Sequence, residues 1–292
     1  MDKFIAYGKK KADFIQINKT ETNMRTVEVS DSKLNNATEE KEIKYFVRVW
    51  VDKKASLVYS NNLSNDLIDK AVKIAKASKK DESFYGLPNN KKMTNVKGLF
   101  SKKVQDFSGE DAINKMNGFL KNIKDVTIAE SHFRVMDGSI KIAGSEGVDF
   151  ERTSTGCSFD AFASYKKDNN YSTWGESMQR RDLFDLDKLG DKITEKAKFY
   201  SNLTKVPEKV DGFIFTPRFI PAIVGNAFIE NLNAINLKNK NCLFENVGGQ
   251  VCSEKFNLID DATIDSGSGS YTFDLEGSAS KRNVLINKGV LK

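Results

Sequence analysis

The sequence predicts an α+β fold of mostly antiparallel sheets with amphipathic helices, and three observations predict it. Long stretches alternate apolar and polar residues with the period of two that is typical of strands. Other stretches place apolar residues at helical spacing behind a capping serine. Short polar turns separate consecutive strands, and such turns join antiparallel neighbours. With 292 residues, 39% of them apolar, the chain suffices for one large domain or two ordinary ones.

The first elements are predicted to be the strands of a hairpin. Period-two alternation and β-branched residues mark residues 14–29 and 43–51. Asn35 and Asn36 lie in a polar stretch and are predicted to form the turn between these strands. A second turn at residues 52–54 leads to a further short strand.

Two capped helices are predicted, one on either side of an irregular connection. Ser64 caps the first, and Ser108, with an aspartate three residues later, caps the second. The stretch 79–103 between them is irregular and contains Gly, Pro and paired Asn residues. It is the predicted boundary between an N-terminal α+β domain, residues 1–105, and a β-rich domain, residues 106–292.

The β-rich part is predicted to begin with an antiparallel meander over residues 126–178. Its turns are predicted at 137–139, 144–147 and 166–170, where Gly, Asp and Asn cluster. A helix follows, and its apolar face is formed by Leu186, Leu189, Ile193, Ala197 and Tyr200.

The C-terminal part is predicted to alternate buried and flexible segments. Residues 213–215 are predicted to form a short buried strand, and Pro217 indicates the start of a helix. The following residues 220–235 are apolar enough to lie in the core. The Gly/Ser stretch 266–270 is the predicted flexible spot.

Few residues could carry hydrolytic or metal chemistry by themselves. The single histidine, His132, is predicted to lie on the polar face of a strand, opposite Phe133 and Val135. One imidazole without a nucleophile motif argues against Ser-His-Asp and Cys-His hydrolases. Catalytic zinc sites usually use at least two histidines or a His/Cys mixture. The sequence therefore predicts neither a metal site nor a catalytic residue in this chain.

The cysteines and one pair of aspartates permit further interpretations. Cys157, Cys242 and Cys252 are odd in number and lack CxxC spacing, which favours reduced structural thiols. Asp260 and Asp261 end an apolar strand before a Gly/Ser turn. Adjacent carboxylates of this kind act as an acid/base pair, bind a cation together, or cap a turn.

Charge and hydropathy bear on partners and location. The 46 basic and 40 acidic residues give a net charge of +6, but the lysines are scattered and form no stripe, which makes nucleic acid an unfavoured partner. The N-terminus lacks the apolar region of a signal peptide, and no run approaches the roughly 18 apolar residues of a membrane span. We expect a cytoplasmic protein without a membrane partner.

Three passages carry a resemblance to a known family. Residues 47–88 contain a strand, a turn, a strand, a capped alanine-rich helix and a closing GLP. Residues 142–163 begin with IAGSEGV and continue as a long strand. Residues 258–292 contain paired aspartates, a Gly/Ser turn, FDLEG and a final NKGVL hairpin. In this order the passages resemble the TldD/PmbA family of metallopeptidases, so the resemblance implies its two-domain architecture.

The third passage supplies the candidate substrate-binding residues. Its matches to the family signature include Phe273, Gly277, Gly289 and Leu291. On this resemblance, we expect a functional loop that contains the charged residues among the matches, which are Asp260, Asp261, Asp274, Glu276 and Arg282.

One departure from the family pattern indicates the branch. In the TldD branch, a helix after the middle strand carries HExxxH, whose histidines bind zinc and whose glutamate is the general base. The corresponding passage here, PRFIPAIVGNAFIENLNAINL, contains Glu230 but no histidine. The chain therefore resembles the PmbA/TldE branch, and the zinc is expected in a TldD-like partner.

The resemblance implies a heterodimer with a TldD-like subunit that encloses a cavity in which unfolded peptide is cut; a homodimer is the other possible assembly. Chains of the family normally continue beyond the final hairpin, so a truncated C-terminus is expected at Lys292. Two alternatives remain: a non-proteolytic binding or scaffold protein that retains the fold, and a nucleic-acid-associated modulator of DNA gyrase.

Overall fold

The structure is a computed structural model, and it describes residues 1–292 apart from 90–91, 169, 203–207, 226–228 and 245–246. The chain divides into two compact units. Unit 1 comprises Met1–Leu203 and Ala262–Ser280, and unit 2 comprises Thr204–Asp261 and Lys281–Lys292. The predicted α+β class with mostly antiparallel sheets is confirmed.

Unit 1 is built on a six-stranded antiparallel sheet with the strand order β3-β2-β1-β4-β5-β6. The strands are β1 (Phe14–Ser30), β2 (Lys33–Val51), β3 (Lys54–Ser60), β4 (Thr127–Gly144), β5 (Asp149–Lys167) and β6 (Asn170–Arg180). Strand β1 pairs with β2 on one side and with β4 on the other. The predicted N-terminal hairpin and the predicted meander therefore form one continuous sheet.

Unit 1 also contains five helices among its described residues. They are α1 (Asp2–Gly8), α2 (Asn65–Ala77), α3 (Lys102–Gln105), α4 (Gly109–Asn122) and α5 (Asp187–Tyr200). Both predicted caps are confirmed. The Ser64 hydroxyl accepts the backbone N–H of Leu67 at 3.2 Å, and Ser108 forms a reciprocal capping box with Asp111.

The longer helices α2, α4 and α5 cover a single face of this sheet. Near one end of β1, Ile15 and Ile17 pack into a core with α2. Near its other end, Val27 and Val29 pack into a second core with α4 and α5. Because alternate residues of a strand point to the same face, these odd-numbered positions place both cores on one side. We call the opposite side, to which the even-numbered residues of β1 point, the open face.

The turn between β1 and β2 lies earlier than predicted. Asp31 and Ser32 form it, with φ angles of 48° and 59°. Asn35 and Asn36 lie within β2, where the register against β1 shifts between Glu28 and its neighbour Val29. The prediction of a turn at the two asparagines was wrong because the left-handed conformation is adopted by the Asp-Ser pair instead.

The predicted turn at residues 137–139 was also wrong, since these residues lie inside β4. Asp137 is buried in the sheet and paired with Arg25. A Cβ added to Gly138 would lie 2.3 Å from the backbone oxygen of Glu21, so glycine permits a close approach of two strands here. The predicted turn at 144–147 is confirmed by the hydrogen bond from the Gly147 N–H to the Gly144 carbonyl.

Unit 2 contains a three-stranded sheet and short helical segments. The strands are β7 (Leu258–Asp261), β8 (Arg282–Asn287) and β9 (Val290–Leu291), and the helices are α6 (Ile220–Val224) and α7 (Ala234–Lys238), with a 3₁₀ turn at Glu230–Leu232. Residues 213–215 form no strand, and Ile214 is fully exposed, so the prediction of a buried strand was wrong.

The segment 220–235 does not form the predicted core helix. Helix α6 has no buried residue, and Ile229 and Ile235 are exposed. Residues 226–228 of the prediction lie outside the described part of the chain. The prediction of burial rested on apolar composition alone. It was wrong because composition does not reveal whether apolar side chains have a packing partner.

The compact units do not coincide with the predicted domains 1–105 and 106–292, because the central sheet runs through both ranges. That sequence-based division stays a prediction. Within the described ranges, no helix is long and apolar enough to cross a membrane.

Candidate functional site

The open face of unit 1 is partly covered by residues 262–280, which we call the strap. Phe273 of the strap is fully buried against Phe150, with ring centroids 5.5 Å apart, and it also packs against Ile142 and Val148. These residues form a third, small apolar core on the side of the sheet opposite the helices. The strap is therefore an integral layer of unit 1.

Two arginines, Arg181 and Arg152, contact the strap. Arg181 donates to the backbone oxygens of Gly267 at 3.0 Å and Ser270 at 2.6 Å. The guanidinium of Arg152 lies 5.1 Å from the ring centroid of Tyr271 and 5.3 Å from that of Phe273. Burial lowers the pKa of both arginines, and the neighbouring Arg181 charge lowers that of Arg152 further.

The predicted site residue Asp274 caps a tight turn in the strap. Its Oδ1 accepts the backbone N–H groups of Glu276 and Ser278, both at 2.9 Å. Gly277 occupies the left-handed region with a φ of 88°, and a Cβ there would lie 2.7 Å from Cγ1 of Val148. The carboxylate thus fixes the shape of the strap, which is the role of an Asx turn.

A cleft of about 450 Å³ lies on the open face beside this turn. Its floor is formed by alternate side chains of β1, and its walls come from β2, β3, β4 and the strap: Gln16, Asn18, Thr20, Thr22, Glu42, Lys44, Phe46, Arg48, Leu57, Ile140 and Leu275. This volume falls within the roughly 300–1,000 Å³ of typical ligand sites. The cleft is amphipathic and combines hydroxyls and amides with aliphatic and aromatic side chains.

Three polar side chains of the cleft bind the strap. Gln16 donates from Nε2 to the backbone oxygen of Glu276 at 2.7 Å, and Asn18 donates from Nδ2 to that of Leu275 at 2.8 Å. Arg48 donates from Nη1 to the carboxylate of Glu276 at 3.2 Å. The predicted residue Glu276 is therefore placed at the rim of the cleft by both its backbone and its side chain.

The other predicted site residues belong to unit 2. Asp260 pairs across β7 and β8 with Asn283, whose amide donates to the Asp260 carboxylate at 3.2 Å. Asp261 lies 3.5 Å from the guanidinium of Arg282. The structure thus groups Asp274 and Glu276 in the strap and groups the remaining three on the paired strands β7 and β8.

His132 lies on β4 on the open face, as predicted, with Phe133 and Val135 buried on the opposite face. Its Nδ1 is 2.8 Å from the Asp160 carboxylate, and its Nε2 is 3.4 Å from that of Glu130. The imidazole is therefore held between two carboxylates.

The residues of this chain do not fit a zinc site of the HExxxH type. Across the described residues, no group of three or more His, Cys, Asp and Glu side chains could hold a metal ion. All three cysteines are free, and burial raises the pKa of the Cys157 thiol to about 12. Cys157 is accordingly a protonated core residue at neutral pH.

Sequence reasoning missed Gln16, Asn18 and Arg48 as functional candidates. A signal was present, because polar residues alternate with Ile15 and Ile17 at the start of β1 and continue as Thr20 and Thr22. The alternation predicts a strand, but it does not distinguish a polar side that lines a cleft from one that faces solvent.

Two family models match separate parts of the chain, and related proteins match most of it. Residues 20–78 match the family model described as PmbA/TldA metallopeptidase domain 1, and residues 210–292 match that of the PmbA/TldA metallopeptidase C-terminal domain. Metalloprotease MJ0996 of Methanocaldococcus jannaschii is 29% identical over 95% of this chain and 64% of its own length. Uncharacterized protein MJ0231 of the same organism is 24% identical over 84% of this chain and 58% of its own length. The chain thus spans under two thirds of both relatives.

Solved structures share the fold. TldE from Thermococcus kodakarensis superposes with a TM-score of 0.89 at 20% identity, over 100% of this chain and 68% of that protein. A Thermotoga maritima protein described as a candidate modulator of a DNA gyrase gives a TM-score of 0.83 at 17% identity, again over 100% of this chain and 68% of that protein.

Proposed function

Because the chain belongs to the TldD/PmbA metallopeptidase family, we propose that it is a TldE-like, non-catalytic subunit of a zinc peptidase complex acting on unfolded peptides. In this proposal the catalytic zinc is bound by a TldD-like partner. This chain shapes the substrate cavity and holds the peptide, and the cleft beside the strap is its binding surface.

One observation carries the assignment to the non-catalytic branch. His132 is the only histidine of the sequence, and it lies on β4 between two carboxylates. The passage from Pro217 to Leu237, which corresponds to the zinc-binding helix of the TldD branch, contains none. A zinc peptidase site needs such ligands to hold the ion and to activate its water.

The sheet of unit 1 supports the proposed role in holding a peptide. Strands β3 and β6 are the two edges of the six-stranded sheet. An extended peptide can add to such an edge through main-chain hydrogen bonds, which suits a substrate without a fixed sequence. Edge strand β3 borders the cleft through Leu57, so a peptide added to this edge would lie beside the cleft. The exposed side chains Leu57 and Tyr59 on β3 supply apolar contacts for it.

The experiment compares this chain, a TldD-like protein from the same genome, and a mixture of the two. Complex formation is measured by size-exclusion chromatography with light scattering, zinc by elemental analysis, and cleavage with a reduced, alkylated protein as substrate. We expect zinc in the partner, a stoichiometric complex, and cleavage that requires the complex.

A matched control uses the partner with its HExxxH glutamate replaced by glutamine, which should form the complex but not cleave. Metal-dependent cleavage by this chain alone would contradict the proposal. Failure to form a complex with any TldD-like protein of that genome would favour the binding or scaffold alternative, and salt-sensitive DNA binding would favour the nucleic-acid alternative.

A further inference from the structure

We draw no further inference here: the strongest candidate, the exposed apolar surface of unit 2 formed by the stacked rings of Phe213, Phe215 and Phe219, carries none because nothing in the structure shows what covers it.

Discussion

Arg25 donates from Nη1 to the Asp137 carboxylate at 2.6 Å in the middle of the six-stranded sheet. Both side chains are largely covered there, and Asn23 donates to the second carboxylate oxygen at 2.8 Å. This pair joins β1 to β4 between the two helix-covered cores. The pair therefore links the strands predicted as an N-terminal hairpin to those predicted as a separate meander.

Replacing Asp137 by leucine should lower the free energy of unfolding by about 3 kcal/mol, because the change leaves the Arg25 charge buried without its main partner. The loss should lie near the lower end of the range for buried pairs, since Glu39 remains 3.4 Å from Arg25. Urea unfolding followed by circular dichroism measures it. The double variant Arg25→Met/Asp137→Leu is the control and should recover much of the loss, whereas an equally unstable double variant would contradict this account.

Local patterns predicted the helices and strands well, but long-range contacts decided the details. The caps at Ser64 and Ser108 depend on neighbours three residues away and were predicted correctly. The strand position of Gly138 depends on the backbone of Glu21, so its Asp-Gly-Ser sequence was mistaken for a turn.

The candidate site was harder to predict for the same physical reason. Gln16 is recognisable as polar in an alternating strand, but its hydrogen-bond partner in the strap lies 260 positions away along the sequence. A family signature pointed to Asp274 and Glu276, and only the structure shows that the strap carries them to the open face.

Gly277 is expected to be essential for the shape of the strap. Its φ is 88°, and an added Cβ would approach Val148 to 2.7 Å. Gly277→Ala should therefore reduce the free energy of unfolding by about 1–3 kcal/mol. Gly269→Ala in the same strap is the matched control, because an added Cβ would meet nothing within 4 Å. Thermal unfolding that affects both variants equally would contradict the strained turn.

The capping box of α4 should make stability depend on acid pH. Hydrogen bonds from Ser108 hold the pKa of Asp111 below its ordinary value. A lowered folded-state pKa means that the contribution is present above the unfolded value of about 3.9 and is lost as the pH falls through the folded pKa. Asp111→Asn should thus be less stable than the unsubstituted chain at pH 7, and the difference should vanish in strong acid.

Urea unfolding of both proteins between pH 7 and strong acid measures this difference. Glu110→Gln removes a carboxylate from the same first turn without belonging to the capping box, so it controls for charge near the helix N-terminus. A difference for Asp111→Asn that stays constant down to strong acid would show that the carboxylate charge does not stabilise the cap.

The exposed position of Ile214 can be tested against the buried strand that its apolar neighbours predict. Because the side chain is fully exposed, Ile214→Ser should change the free energy of unfolding by less than about 0.5 kcal/mol. Ile286 lies buried on β8 of the same unit, so Ile286→Ala should cost about 2–5 kcal/mol. Urea unfolding of both variants gives the comparison within one unit. A similar cost for both would mean that Ile214 is packed in solution and that the strand predicted from sequence was correct after all.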